Sequence, residues 1–77
     1  MTATENQVAE VLLEIFATKG LAQPRLLADT ALDQLGLESL DFAQAVIRLE
    51  ELTGKDPFAT GDDYQIKTLS DLAVLYA

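Results

Sequence analysis

In the segment Leu35-Gly36-Leu37-Glu38-Ser39-Leu40-Asp41-Phe42, a serine stands where a glycine-containing loop turns into the start of an acidic helix. The first backbone N–H groups of a helix are unpaired and carry the positive end of its dipole, so an anionic group at Ser39 would sit in a favourable field. A serine at the protein surface there is also within reach of another enzyme's active site. Self-activation has no obvious agent: with no His and no Cys in the chain, the usual base near neutral pH, a thiolate nucleophile and the commonest zinc ligands are all missing. Chemistry at Ser39 is therefore expected to be done to it by a separate protein. Taken alone, the serine is equally well explained as an N-cap, since Ser is among the preferred residues at that position.

Other arrangements of reactive side chains are weaker. Glu38, Asp41, Glu50 and Glu51 gather on or beside the same helix with Arg48 as the basic residue among them, and an acidic protein commonly shows such a solvated face. Glu50 and Glu51 are adjacent and carry no pocket signal, which argues against a glycosidase-like carboxylate pair. The stretch from Asp56 to Asp63 lacks the alternating oxygen ligands of an EF-hand loop. Neither a metal cluster, a triad nor a phosphate-cradling glycine loop is present, so no catalytic residue is assigned.

Ser39 has to be positioned by helices. Thr4 and Gln7 resemble a capping box, and Val8, Val11, Leu12, Ile15 and Phe16 then recur at helical spacing, predicting a first helix from Glu5 to Lys19 closed by Gly20. Residues 21–38 hold Pro24, Gly36 and the turn formers Asp29 and Thr30 among six leucines, which predicts a long loop pinned by its leucines with a short helical turn near Leu32 to Leu35. From Ser39 to Thr53 there is neither Gly nor Pro, and Gly54 ends the run. This second helix carries two stripes. Phe42, Ala45, Val46, Leu49 and Leu52 suit a core, while Leu40, Ala43 and Ile47 suit either a core or an exposed contact surface. Residues 55–67 read as a loop with one helical turn, anchored by Phe58, Tyr64 and Ile66. Thr68 and Asp71 then form a second capping box, opening a terminal helix whose apolar face is Leu69, Leu72, Ala73, Leu75 and Tyr76. Phe16, Phe42, Val46, Leu49, Leu72 and Tyr76 are the predicted core. No segment alternates with period two, so the class is all-α: three main helices plus one short helix, in a single domain spanning 1–77.

The glycine loop, Ser39-Leu40 and the acidic helix that follows resemble the acyl carrier protein signature, in which an Asp-Ser-Leu tripeptide opens the second helix. The likeness extends over nearly the whole chain, to a last helix ending in LAVLYA. It implies a small four-helix acyl-carrier bundle in which Ser39 bears 4'-phosphopantetheine, taken from coenzyme A by a phosphopantetheinyl transferase. The arm would supply the thiol that the sequence lacks, carrying acyl groups as thioesters for fatty acid, polyketide or related synthesis. It further implies that Glu38, Leu40, Asp41, Ala43, Ile47, Glu50 and Glu51 face the basic docking patches of loading ligases and of acyl-transferring or chain-elongating enzymes, with binding that weakens as salt rises. By the same resemblance, an acyl chain would slip between the helices into the core. Glu38 replaces the family's usual Asp, and Thr53-Gly54-Lys55-Asp56-Pro57-Phe58 replaces the aromatic and Ile-Pro pattern of primary fatty acid carriers, which suggests a specialised pathway. Gly36-Leu37-Glu38-Ser39 also differs from the Gly-Gly-His-Ser motif of peptidyl carriers, favouring acyl over aminoacyl cargo. The alternatives are an aminoacyl or peptidyl carrier, and an unmodified acidic adaptor that only binds proteins.

Composition agrees with a protein-facing role. Five basic against thirteen acidic residues give a net charge of -8 over 77 residues, which disfavours nucleic acid and anionic membranes and favours basic protein surfaces. At 49% apolar residues a compact core is affordable, although a chain this short seldom exceeds roughly 3 to 5 kcal/mol of stability. No apolar run approaches the roughly 20 residues of a membrane span, and MTATENQ lacks the start of a secretion signal, so a cytoplasmic monomer is expected.

Overall fold

The computed structural model describes all residues, 1–77. Helix α1 spans Ala3–Thr18, a single 3₁₀ turn spans Leu32–Gln34, α2 spans Ser39–Thr53 and α3 spans Leu69–Val74. The bundle is thus three α-helices plus one short turn of 3₁₀ helix, with a lone backbone bridge between Ala31 and Thr68 in place of any sheet.

Helix α1 begins two residues before the expected start. The Thr2 N–H donates to Glu5 Oε1 at 2.7 Å and the Glu5 N–H donates to Thr2 Oγ1 at 3.0 Å, a reciprocal capping box built on Thr2 and Glu5 instead of Thr4 and Gln7. Glu5 is buried; the backbone of Thr2 first, and then the nearby Ser70 hydroxyl of α3, hold its carboxyl below the ordinary range. At the other end, Gly20 takes φ +71°, the Gly20 N–H donates to Ala17 O and the Leu21 N–H to Phe16 O. Those two bonds close a Schellman motif and fix Lys19 as the helix C-cap.

Helix α2 has the boundaries expected from its lack of Gly and Pro, and Gly54 caps it at φ +71°. In α3 the predicted box is present: the Asp71 N–H donates to Thr68 Oγ1 and the Thr68 N–H to Asp71 Oδ2. Residues 55–67 contain tight turns over 57–60 but no helical turn; Tyr64 donates its hydroxyl to Pro57 O and stacks edge-on against Phe58 at 5.6 Å.

The core joins Val8, Val11, Leu12 and Ile15 of α1, Ala45 and Leu49 of α2 and Leu69, Leu72, Ala73 and Tyr76 at the C-terminal end, with Leu26 and Leu32 supplied by the long loop. Phe16 is buried as predicted, whereas Phe42 and Val46 are only half-buried and Leu52 is 43% exposed. Leu52 falls about 60° from Leu49 around a helix of 3.6 residues per turn, at the margin of the buried stripe and in its last turn. The loop is held by more than leucines, since Leu21 and Leu27 are exposed. Its backbone is bonded to the start of α3, through Leu32 N–H to Lys67 O, Leu69 N–H to Thr30 O and Ser70 N–H to Ala28 O.

Candidate functional site

Gly36 turns the chain at φ +73°, and the half-buried Leu35 and Leu37 on either side pack against the core. The backbone therefore arrives at α2 anchored twice. Glu38, not Ser39, is the N-cap, and Ser39 is the first residue of the helix, with its side chain exposed to solvent. The capping explanation of the serine is thereby corrected. The side-chain hydrogen bonds around the helix start run through Asp41 and leave the Ser39 hydroxyl unused.

Asp41 is turned inward, contrary to the expected acidic contact surface. It is 8% exposed, and its Oδ2 accepts from Lys19 Nζ at 2.6 Å and from the Glu38 N–H at 2.9 Å. The Lys19 ammonium first, and then the Glu38 amide, hold the Asp41 carboxyl below the usual carboxylate range; Asp41 in turn raises the lysine. A signal for this exists in the sequence. Asp41 lies four residues before Ala45 and eight before Leu49, the buried row of α2. Its partner was not legible, because Lys19 lies 22 residues away and suits its own helix end equally well.

The other predicted contact residues divide in two. Leu40, Ala43 and Ile47 share one outer face of α2, with Leu40 68% and Ile47 57% exposed, so the second stripe is surface and not core. Glu38 and Glu51 are exposed as well; the Glu51 carboxylate stands 3.9 Å from Arg48, which is equally far from Glu14 of α1. Glu50 is half-buried at the edge of that face, three residues beyond Ile47 and seven beyond Ala43. Burial, and then the negative charge of neighbouring Asp56, raise its carboxyl above the ordinary value.

Further round α2, Phe42 and Val46 face an apolar cleft of about 330 Å³, completed by Leu32, Phe58, Ile66 and Leu72, with Asp33 as its polar member. The half-burial of Phe42 and Val46 comes from lining this cleft and not from misplacement. Sequence hydrophobicity does not distinguish such a cleft from a filled core. No group of three or more His, Cys, Asp or Glu side chains is arranged to hold a metal ion, and no helix is long and apolar enough to cross a membrane.

The arrangement suits group attachment better than catalysis. An exposed hydroxyl stands on the first residue of a 15-residue helix, where free backbone N–H groups favour an anion, and no base is placed against it. Residues 10–74 match the family described as Phosphopantetheine attachment site. The solved structure of MacpD, an acyl carrier protein from Pseudomonas fluorescens involved in mupirocin biosynthesis, aligns with a TM-score of 0.81 at 34% sequence identity. That alignment covers 94% of this chain and 66% of the other, so the chain spans slightly under two thirds of its length. No curated protein sequence matches the chain.

Proposed function

Because the chain belongs to the acyl carrier protein family, a family of non-enzymatic carriers that bear phosphopantetheine, we propose that Ser39 is the residue that receives the arm. The observation that carries this is the exposed hydroxyl at the first position of α2, on a helix start whose unpaired N–H groups suit a phosphodiester. In the transfer, Ser39 Oγ forms a bond to phosphorus as the pyrophosphate bond of coenzyme A breaks. The hydroxyl proton passes to the transferase, and adenosine bisphosphate leaves with the bonding electrons. When bound, the arm supplies a thiol on which acyl groups are held as thioesters, in a chain that has no cysteine of its own.

Leu40, Ala43 and Ile47, flanked by Glu38 and Glu51, form the surface offered to the transferase and to partner enzymes. An apolar patch with an acidic rim fits a basic docking site, and the charges would act mainly on association rate and partner choice. Asp41 is left out of this surface by its burial. The cleft beside Phe42 and Val46 supports an acyl cargo, since its lining is apolar in six of seven residues. A specialised biosynthetic pathway is supported by the likeness to the mupirocin carrier and by Thr53 to Phe58, which depart from the pattern of primary fatty acid carriers.

Intact mass spectrometry after incubation with coenzyme A, magnesium and a broad-specificity transferase tests the assignment. The unaltered protein should gain the mass of one arm and Ser39→Ala none. An arm retained by Ser39→Ala, or none gained by the unaltered protein, would overturn it, the latter in favour of an unmodified adaptor.

A further inference from the structure

We propose that Lys19 and Asp41 are positioning residues for the modification of Ser39: one carboxylate oxygen ties the end of α1 to the backbone that enters α2, and so aims the serine hydroxyl. The inference rests on the assignment of Ser39 as the attachment point. It goes beyond it by giving α1 a part in the reaction at α2.

Three observations carry it. Asp41 Oδ2 is shared between Lys19 Nζ at 2.6 Å and the Glu38 N–H at 2.9 Å, and Glu38 is the residue bonded directly to Ser39. The carboxylate is shielded: the side chain of Asp41 is 11% exposed against 32% for Lys19, so little of it is left for an incoming enzyme to grip. Lys19 itself is not a loose surface lysine. As the C-cap it is held in αR geometry by the two bonds that close the Schellman motif around Gly20, so its side chain departs from a fixed point. A rigid base on one helix thus meets a single acceptor on the other.

The same contact acts on charge. Asp41 lies in the first turn of α2, where its negative charge would otherwise occupy the positive helix end that a phosphodiester on Ser39 needs. Lys19 compensates that charge locally. The helix N–H groups of the first turn then face an anion with one uncompensated neighbour, Glu38, instead of two.

Charge-assisted hydrogen bonds of this kind are short and directional, and a small displacement of a reacting group slows transfer far more than it weakens binding. The test compares Lys19→Met with Lys19→Arg in transfer kinetics, together with NMR amide exchange at Glu38. Lys19→Met should lower kcat for arm transfer roughly tenfold or more with KM little changed, and should speed exchange of the Glu38 amide. Lys19→Arg, which can donate to the same oxygen, should recover most of both. Thermal melting establishes that each variant is folded, and Lys19→Gln, which keeps a neutral donor, replaces Lys19→Met should the latter not fold; it is expected to fall between the other two. Unchanged kcat and unchanged Glu38 exchange in the Met or Gln variant would overturn the proposal, as would a rise in KM alone, which marks Lys19 as a docking contact. Failure of the unaltered protein to take any arm would instead sink the assignment of Ser39, so the two outcomes are distinguishable.

Discussion

Tyr76 sets its ring in the core with 3% of its surface exposed, yet its hydroxyl has no hydrogen-bond partner. Leaving a buried polar group unsatisfied costs about 1 to 3 kcal/mol, and Tyr76→Phe keeps the ring while removing that cost. Denaturant unfolding should therefore find Tyr76→Phe more stable by about 1 kcal/mol, and a loss of stability would show that the hydroxyl has a partner. Burial first, and then the negative charges of Glu50 and Asp56, push the Tyr76 hydroxyl up from 10.0 to about 12. The unfolded chain releases this proton nearer pH 10 and the folded one only near 12, so the tyrosine's contribution is fully present below pH 10 and is lost as pH rises from there through about 12. An alkaline series of melts should decline less steeply in Tyr76→Phe. Asp41 shows the opposite case, a buried polar group that is paired, here with the exposed Lys19. Asp41, lowered from 3.8, stabilises the fold above that value and ceases to as pH falls through its folded value. Lys19, raised from 10.5, stabilises below that value and ceases to as pH rises beyond it.

Each helix ends where a specific residue ends it, and this is where the sequence is most and least legible. The limits of α2 can be read directly, because no Gly or Pro interrupts Ser39 to Thr53 and Gly54 supplies the positive φ of its cap. A β-carbon at Gly54 would meet nothing within 4 Å, so Gly54→Ala isolates the cost of a left-handed backbone. The expected loss is about 1 to 2 kcal/mol by denaturant unfolding; no loss would mean that the helix end relaxes to another cap. The start of α1 is harder. Thr2 with Glu5 and Thr4 with Gln7 both have capping-box spacing, and the choice falls to the pair whose Glu5 meets Ser70 of α3, a contact that no local pattern announces. The site divides in the same way. The place of Ser39 at the opening of α2 is legible because a helix start and a motif coincide there, whereas the spacing of Leu40, Ala43 and Ile47 marks a stripe without saying that it faces outward. The inward turn of Asp41 and the cleft depend on what α1 and the second loop bring to α2.

At the scale of the molecule, the three helices, the first loop and the C-terminal end share a core of 13 buried residues, against which Phe58 and Ile66 of the second loop pack. Leu49 lies at its centre with 0% exposure. A buried Leu→Ala change costs about 2 to 5 kcal/mol, and a domain this small has roughly 3 to 5 kcal/mol to lose. Leu49→Ala should thus be largely unfolded at 25 °C by circular dichroism, and a cooperative melt close to that of the unaltered protein would show a larger reserve. The loop amides bonded across to the start of α3 bear on more than stability. Leu32 and Ile66, which both line the cleft, belong to the two strips of chain that the Leu32-to-Lys67 and Leu69-to-Thr30 bonds sew together. Neither strip can retreat by itself without tearing that seam, so any widening of the cleft falls to Phe58 or α2, on one flank only.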